Sequence, residues 1–300
     1  MKNKANNIFL GVDIGATKTI FLLAEISGAK YKILESAKIA TPRKEKEILK
    51  MVEENYKSLA EKYSIAGIGI GFCGSVDFKK GIAIKGPRLG TGKIDFKAKL
   101  KKKMKVFVKV DNDVKCFLFA ESVFGKAQGK KNAVFLTLGT GIGGGIMING
   151  EIYRGAANFA GEFGHMLMGE IGKEEEFEMI SSGTGLVKIY EKITGKILDS
   201  FQIVDLSRKK DFSALAAIDF VSKTLGVVLA NIIQSFNPEI IVLGGGLSEV
   251  DLIIDKAKEY AKKKVFLPAL AKTPVAVSNL GQNAIALGAA WMARDIKNVK

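Results

Sequence analysis

The segment Gly139-Thr140-Gly141-Ile142-Gly143-Gly144-Gly145 joins the apolar run NAVFLTL to the strand-like run IMINGEIYRG. Few chain contexts accept so much glycine directly behind a buried strand, because glycine costs the most ordering entropy and offers no side chain to pack. The spacing Gly139-x-Gly141-x-x-Gly144 formally satisfies the dinucleotide-binding fingerprint. That fingerprint must open a helix, whereas this chain continues as strand, turn, strand. No acidic residue closes a following β-α-β unit either. The context favours a β-hairpin whose backbone amides lie against phosphates, ahead of a purely structural turn and, last, the dinucleotide reading.

A second turn of this kind lies near the start of the chain. IFLGVDIG runs through Ala16-Thr17-Lys18-Thr19 into TIFLLAEIS and then YKILESAKIA, three strands broken at Gly15-Ala16 and Gly28-Ala29. Gly15 with the hydroxyls of Thr17 and Thr19 and the amine of Lys18 suits phosphate oxygens. Asp13, at the strand end, suits Mg²⁺ through water. An ordinary hairpin with a polar turn is the alternative. Residues 44–63 then follow a helical period, with Ile48, Met51, Val52, Tyr56, Leu59 and Tyr63 on one face. The strands IAGIGIGF and KVFVKV come next, separated by a turn region and a short helix. The order β-β-β-α-β-α-β predicts a mixed sheet with helices on both faces. A similar series restarts near residue 132, with helices over 184–193, 213–235 and 251–263, strands EIIVLG and TPVAVS, and a closing helix NAIALGAAWMARDI. The repetition predicts duplication and two lobes with a cleft between them.

Three further segments offer chemistry, each beside a plainer reading. Val110-Asp111-Asn112-Asp113 joins a strand to a helix, so Asn112 or Asp113 serves as helix cap, or one of the carboxylates serves as a general base. Gly161-Glu162-Phe163-Gly164-His165 holds the one histidine of the chain, as a structural residue or as part of an exposed polar site. Gly244-Gly245-Gly246 ends a buried strand, either as a tight turn or as room for a flat group such as adenine.

Charge offers a competing direction. The 300 residues carry 46 Lys+Arg against 31 Asp+Glu, a net +15, which invites a nucleic-acid reading. Only Arg43, Arg88, Arg154, Arg208 and Arg294 are arginine, the residue favoured for forked recognition of phosphate and base edges. The densest run, Lys101 to Lys103 with Lys105, has no aromatic interleaved and ends a helix-like segment, as solvated charge at a helix C-terminus does. No nucleic-acid partner is therefore expected. No membrane is expected either, since no uninterrupted apolar stretch approaches the ~18 residues of a span, and the N-terminus lacks a secretory h-region. Cys73 and Cys116 match no metal spacing and fit a reducing cytoplasm.

Taken in order, these segments resemble the ROK family of sugar kinases and repressors, in the actin/hexokinase/Hsp70 superfamily, from about residue 8 to about 294. GVDIGATKT resembles its first phosphate motif, VDNDVKCFLFAE its catalytic segment, and LTLGTGIGGGIMINGEIYRGAANFAGEFGH its signature. NIIQSFNPEIIVLGGGL resembles the adenosine segment and LGQNAIALGAAWMA the closing helix. The resemblance implies an α/β fold of two ribonuclease H-like, actin-like ATPase lobes whose mixed sheets are flanked by helices around an interlobe cleft. The N-terminal lobe would span 1–112, completed by a C-terminal helix over 284–300, and the second lobe 113–283.

It implies in-line transfer of the ATP γ-phosphate to a hexose hydroxyl, usually at C6, with glucose first and fructose, mannose or an N-acetylated hexosamine as alternatives. Asp113 would be the general base. Asn112, Glu162, His165, Glu178 and Gly74 would meet the sugar. Gly15, Thr17, Lys18, Thr19, Gly139, Thr140 and Gly141 would hold phosphates, and Gly244 to Gly246 adenosine. ATP and Mg²⁺ are the implied cofactors, and a cytoplasmic homodimer the implied assembly. A sugar-sensing regulator without turnover is the rival.

The sequence also departs from the family pattern. The cysteine cluster that many members use to bind structural zinc together with the histidine is replaced by MLMGEIGKEEEFE, so no zinc is expected. His165 then needs another partner, and a carboxylate among Glu174 to Glu176 is expected to provide it. The family's G-x-P-G turn reads Gly71-Phe72-Cys73-Gly74 and its P-N-L loop reads Pro87-Arg88-Leu89, which bears on sugar identity. With the first phosphate motif already at Asp13, no N-terminal helix-turn-helix is expected.

Overall fold

The structure, a computed structural model, describes residues 7–86 and 90–294. Pro87-Arg88-Leu89 and the end of the expected 284–300 helix beyond Arg294 lie outside the described residues. The chain begins β1 (Ile8–Ile14), β2 (Lys18–Ser27), β3 (Lys30–Ala40), α1 (Glu45–Ala60), β4 (Gly67–Phe72), β5 (Ser75–Asp77), β6 (Ile82–Lys85), β7 (Ile94–Asp95), α2 (Phe96–Met104), β8 (Phe107–Asn112) and α3 (Asp113–Phe124). It continues β9 (Ala133–Leu138), β10 (Ile142–Ile148), β11 (Glu151–Tyr153), β12 (Leu167–Met168), β13 (Glu175–Glu176), α4 (Phe177–Ser181), α5 (Gly183–Thr194), α6 (Ser200–Arg208) and α7 (Phe212–Phe236). β14 (Ile240–Gly244), α8 (Asp251–Lys264), β15 (Val275–Val277) and α9 (Ala284–Met292) close it.

Two compact units result. The first holds the chain up to Gly129, the segment Gly155–Phe159 and the residues from Leu280 on; the second holds Lys130–Arg154 and Ala160–Asn279. The division therefore falls after Gly129 and not at 112/113. The reason is packing: α3 lies on α9, and a side chain on Gly288 of α9 would strike the Cys116 carbonyl of α3, so the two backbones touch directly.

In the first unit five strands run in the order β3-β2-β1-β4-β8. β1, β2 and β3 form an antiparallel meander, while β1, β4 and β8 are parallel. Period-two alternation sorts the side chains. Leu10, Val12, Ile14, Phe21, Leu23, Ile68, Ile70 and Val108 face Ile48, Met51 and Val52 of α1 and Phe96 and Leu100 of α2. Phe9, Ile20, Leu22 and Ile26 face Ala286, Leu287 and Ala290 of α9. Gly11 and Gly69 lie under that helix, where an added Cβ would sit 1.8 Å from the Ala286 carbonyl and 1.7 Å from that of Ala289. The small-residue helix thus rests on the sheet backbone itself.

The second unit repeats the plan with the order β11-β10-β9-β14-β15, in which β9, β14 and β15 are parallel. One core joins Val134, Leu136 and Leu138 of β9 and Ile241 and Leu243 of β14 to α5, α6, α7 and α8. α7 is long and apolar enough to cross a membrane by length and composition alone, although Asp219 and Lys223 interrupt its apolar run. Its Ile218, Val221, Leu225, Val228, Leu229 and Ile232 instead fill that core, which makes it the central helix of the unit.

Candidate functional site

In the first unit the functional side chains gather at the carboxyl ends of the parallel strands, the edge where open α/β sheets present ligands. Asp13 stands level with Gly71 of β4 and, through it, with Asp111 of β8; Ile14, Phe72 and Asn112 form the next row. Asn112 caps α3, its Oδ1 accepting from the amides of Val114 (3.0 Å) and Lys115 (3.3 Å). Its Nδ2 donates to the Gly74 carbonyl at 3.2 Å and to Asp113 Oδ1 at 2.9 Å. Val114 N also donates to Asp113 Oδ1 at 2.9 Å. Asn112 is therefore the cap, and through it Asp113 and Gly74 are brought together. Both Nδ2 donors of Asn112 are engaged.

Asp13 keeps some surface but lies deep at the sheet edge. Loss of solvent there, then the negative charge of Asp113, push its carboxyl up to about 8, with Lys18 opposing. The turn behind it is closed by Gly15 N donating to the Lys18 carbonyl at 3.0 Å, and Thr17 and Lys18 are exposed. Thr19, expected at the phosphates, is not there. It is fully buried and its hydroxyl meets that of Thr41 at 2.9 Å, because it lies within β2, a strand covered on both faces.

In the second unit the glycine segment forms the β9–β10 hairpin, with Ile142 opposite Leu138. Gly139 N donates to the Gly141 carbonyl at 2.9 Å, while the Gly139 carbonyl accepts from Gly183 N at 2.8 Å and the Thr140 carbonyl from Thr184 Oγ1 at 2.8 Å. The start of α5 thus holds the turn by its carbonyls. Among the described residues the amides of Thr140 and Gly141 meet no backbone acceptor, and this is what a phosphate would use. Beside it β14 ends with Gly244 paired to Thr137. Gly244 is buried, whereas Gly245 and Gly246 are exposed. Gly245 has φ +86°, and a Cβ there would lie 2.6 Å from the Leu138 carbonyl. Backbone alone forms that ledge.

Glu162, His165 and Glu178 cluster behind the same hairpin. Phe163–His165 is one 3₁₀ turn, anchored by buried Phe163. At Gly164 a Cβ would lie 2.3 Å from the Ile142 carbonyl and 3.3 Å from Glu178 Cβ, so glycine lets the turn, β10 and α4 converge. Glu178 Oε2 accepts from Ile142 N at 2.8 Å, tying α4 to the glycine segment. Glu162 is exposed. His165 Nδ1 lies 3.2 Å from Glu176 Oε2, so Glu176 is the carboxylate the sequence placed only within 174–176.

The residues suit Mg²⁺ and do not suit zinc. Asp13 is a hard oxygen donor, buried at a cost that a divalent cation would relieve, and Mg²⁺ characteristically uses one or two carboxylates with phosphates and waters. A structural zinc site is typically four-coordinate and built from Cys and His, such as Cys₃His. The segment after His165 holds no cysteine, and no three His, Cys, Asp or Glu side chains among the described residues converge as ligands.

Residues 9–296 match the ROK family. The chain is 29% identical to a glucokinase of Halalkalibacterium halodurans, over 97% of this chain and 96% of that protein. It is also 29% identical to the xylose repressor of Bacillus subtilis, over 95% of this chain and 77% of the repressor. A ROK glucokinase from Streptomyces griseus, solved with glucose and AMPPNP, superposes with a TM-score of 0.83 at 26% identity, covering 96% of this chain and 99% of that one. The α/β architecture with its paired mixed sheets is that of the ROK sugar kinases, and the chain belongs to the ROK family.

Proposed function

We propose that the protein is an ATP-dependent hexose kinase transferring the γ-phosphate to a sugar hydroxyl, the C6 hydroxyl of glucose first among candidates. The observation that carries this is Asp113, whose Oδ1 is fixed by Asn112 Nδ2 and Val114 N at 2.9 Å each. Two hydrogen bonds to one oxygen orient the carboxylate so that its second oxygen takes the hydroxyl proton. As the sugar oxygen bonds to phosphorus, the bond from phosphorus to the bridging oxygen breaks and ADP leaves. The amides of Thr140 and Gly141 and the turn at Gly15–Lys18 hold phosphate oxygens, and the Gly245–Gly246 ledge receives adenosine. Asp13 holds Mg²⁺ through water; the cation, when bound, neutralises phosphate charge. Glu162, His165 and Glu178 receive the sugar's ring hydroxyls. A cytoplasmic location follows from the use of ATP, and a homodimer is the assembly implied by kinship.

The test is an ADP-release assay over glucose, fructose, mannose and N-acetylated hexosamines, paired with calorimetric sugar binding. Sugar-dependent ADP release with at least one hexose is expected, and none with any of them would overturn the proposal. A second reading, a sugar-sensing regulator, draws on the repressor that matches 95% of the chain. It predicts saturable sugar binding without turnover. A fixed base at Asp113 favours the kinase, since a mere binder has no proton to remove.

A further inference from the structure

Three acidic residues follow one another at 174–176, and the fold gives each a different partner. Glu174 is held by backbone amides, including that of Gly172, which keep its carboxyl below the ordinary range. Glu175 pairs with Lys192 of α5 at 3.3 Å. Glu176 alone meets His165. The geometry comes from the β12–β13 hairpin, which sets Leu167 opposite Glu176 and Met168 opposite Glu175. The hairpin is pinned to the 3₁₀ turn by Met166 N donating to the Phe163 carbonyl at 3.1 Å and by Phe177 N donating to the Met166 carbonyl at 2.8 Å. Glu176 also occupies the N-cap position of α4 without capping it, so its carboxylate serves the imidazole instead of the helix.

A carboxylate only accepts hydrogen bonds, so a neutral ring facing it places its proton on Nδ1 and its lone pair on Nε2. An unpartnered histidine prefers the opposite tautomer, with the proton on Nε2. We propose that Glu176 is a positioning residue that fixes His165 as the Nδ1–H tautomer and presents Nε2 as an acceptor to a substrate hydroxyl. A hairpin carboxylate thus does here what a metal would otherwise do for this ring. The substrate half of the proposal rests on the kinase reading; the tautomer half does not. Both side chains are partly exposed, at 60% and 43%, so the pair acts on ring orientation and contributes little to stability.

His165 is the one histidine in the chain, so a long-range ¹H–¹⁵N correlation spectrum of histidine-labelled protein reads its tautomer without assignment. At about pH 8.5, where an ordinary imidazole is neutral, the native protein is expected to show the Nδ1–H pattern. Glu176→Ala is expected to shift it to the Nε2–H pattern and to raise the sugar KM about 10-fold, with kcat changed far less. Lys192→Ala, which frees Glu175 in the same hairpin, is expected to leave both readouts unchanged. An Nε2–H pattern in the native protein, an unchanged pattern in Glu176→Ala, an equal shift in Lys192→Ala, or stoichiometric zinc on His165 would each overturn the proposal. Should no sugar be turned over while the tautomer behaves as stated, the kinase reading falls and the dyad stands.

Discussion

Asp13 is where charge and structure are most at odds. Its carboxyl is raised to about 8, against an ordinary value of 3.8. Between those values the folded chain binds a proton that the unfolded chain has released, so stability falls as pH rises through that window. Without nucleotide or Mg²⁺, the melting temperature is expected to drop from pH 6 to pH 9. Asp13→Asn should remove that part of the slope and stabilise the nucleotide-free protein at pH 9 by on the order of 1–3 kcal/mol, while weakening nucleotide binding. Thermal melts of both proteins across pH check this; parallel slopes would contradict it. The sequence showed Asp13 at a strand end beside a glycine turn. It did not show Asp113 facing it, because that proximity depends on the β1-β4-β8 register.

Elements whose signals are local were legible in the chain. The apolar runs IFLGVDIG and TIFLLAEIS, the 3.6-residue period of α1 and the strand-turn-strand reading of the 139–145 segment all correspond to observed elements. α6 escaped notice although Asp199 and Gln202 form a capping box at its start, a pattern that could have revealed it. Thr19 was assigned by motif alone, and its place inside the apolar run TIFLLAEIS, a strand buried on both faces, was the signal overlooked. The place of α3 depended on contact with α9, 170 residues away in sequence, and no local pattern carries that. This contact suggests a test at the element scale. Gly69→Ala would thrust a methyl group into the α9 backbone, so a loss of about 3 kcal/mol or outright misfolding is expected. Chemical denaturation measures it, and a change under about 0.5 kcal/mol would contradict the packing described.

At the scale of the whole molecule, the net charge of +15 is the excess of 46 Lys+Arg over 31 Asp+Glu, left after short surface ion pairs neutralise part of the cations. Lys50–Glu54, Lys57–Glu53, Lys80–Asp77, Arg208–Asp205 and Lys223–Asp219 all lie within one helix or turn. Such pairs contribute little individually, and only five of the cations are arginine. Titration with DNA at low and near-physiological salt is therefore expected to give only weak binding that vanishes with salt; saturable binding at the higher salt would contradict this. The glycines explain more than the charge does. They let α9 lie on one sheet and form both the Gly139–Gly141 turn and the ledge at Gly245–Gly246 on the other.

The central claim is that Asp113, oriented by Asn112, removes the proton from a sugar hydroxyl. Asp113→Asn preserves an oxygen able to accept from Asn112 and Val114, so the fold and sugar binding should persist. Its kcat in sugar-dependent ADP release should fall by about 10²–10⁴-fold, with the calorimetric sugar affinity within a few-fold of native. An undiminished rate would contradict the claim.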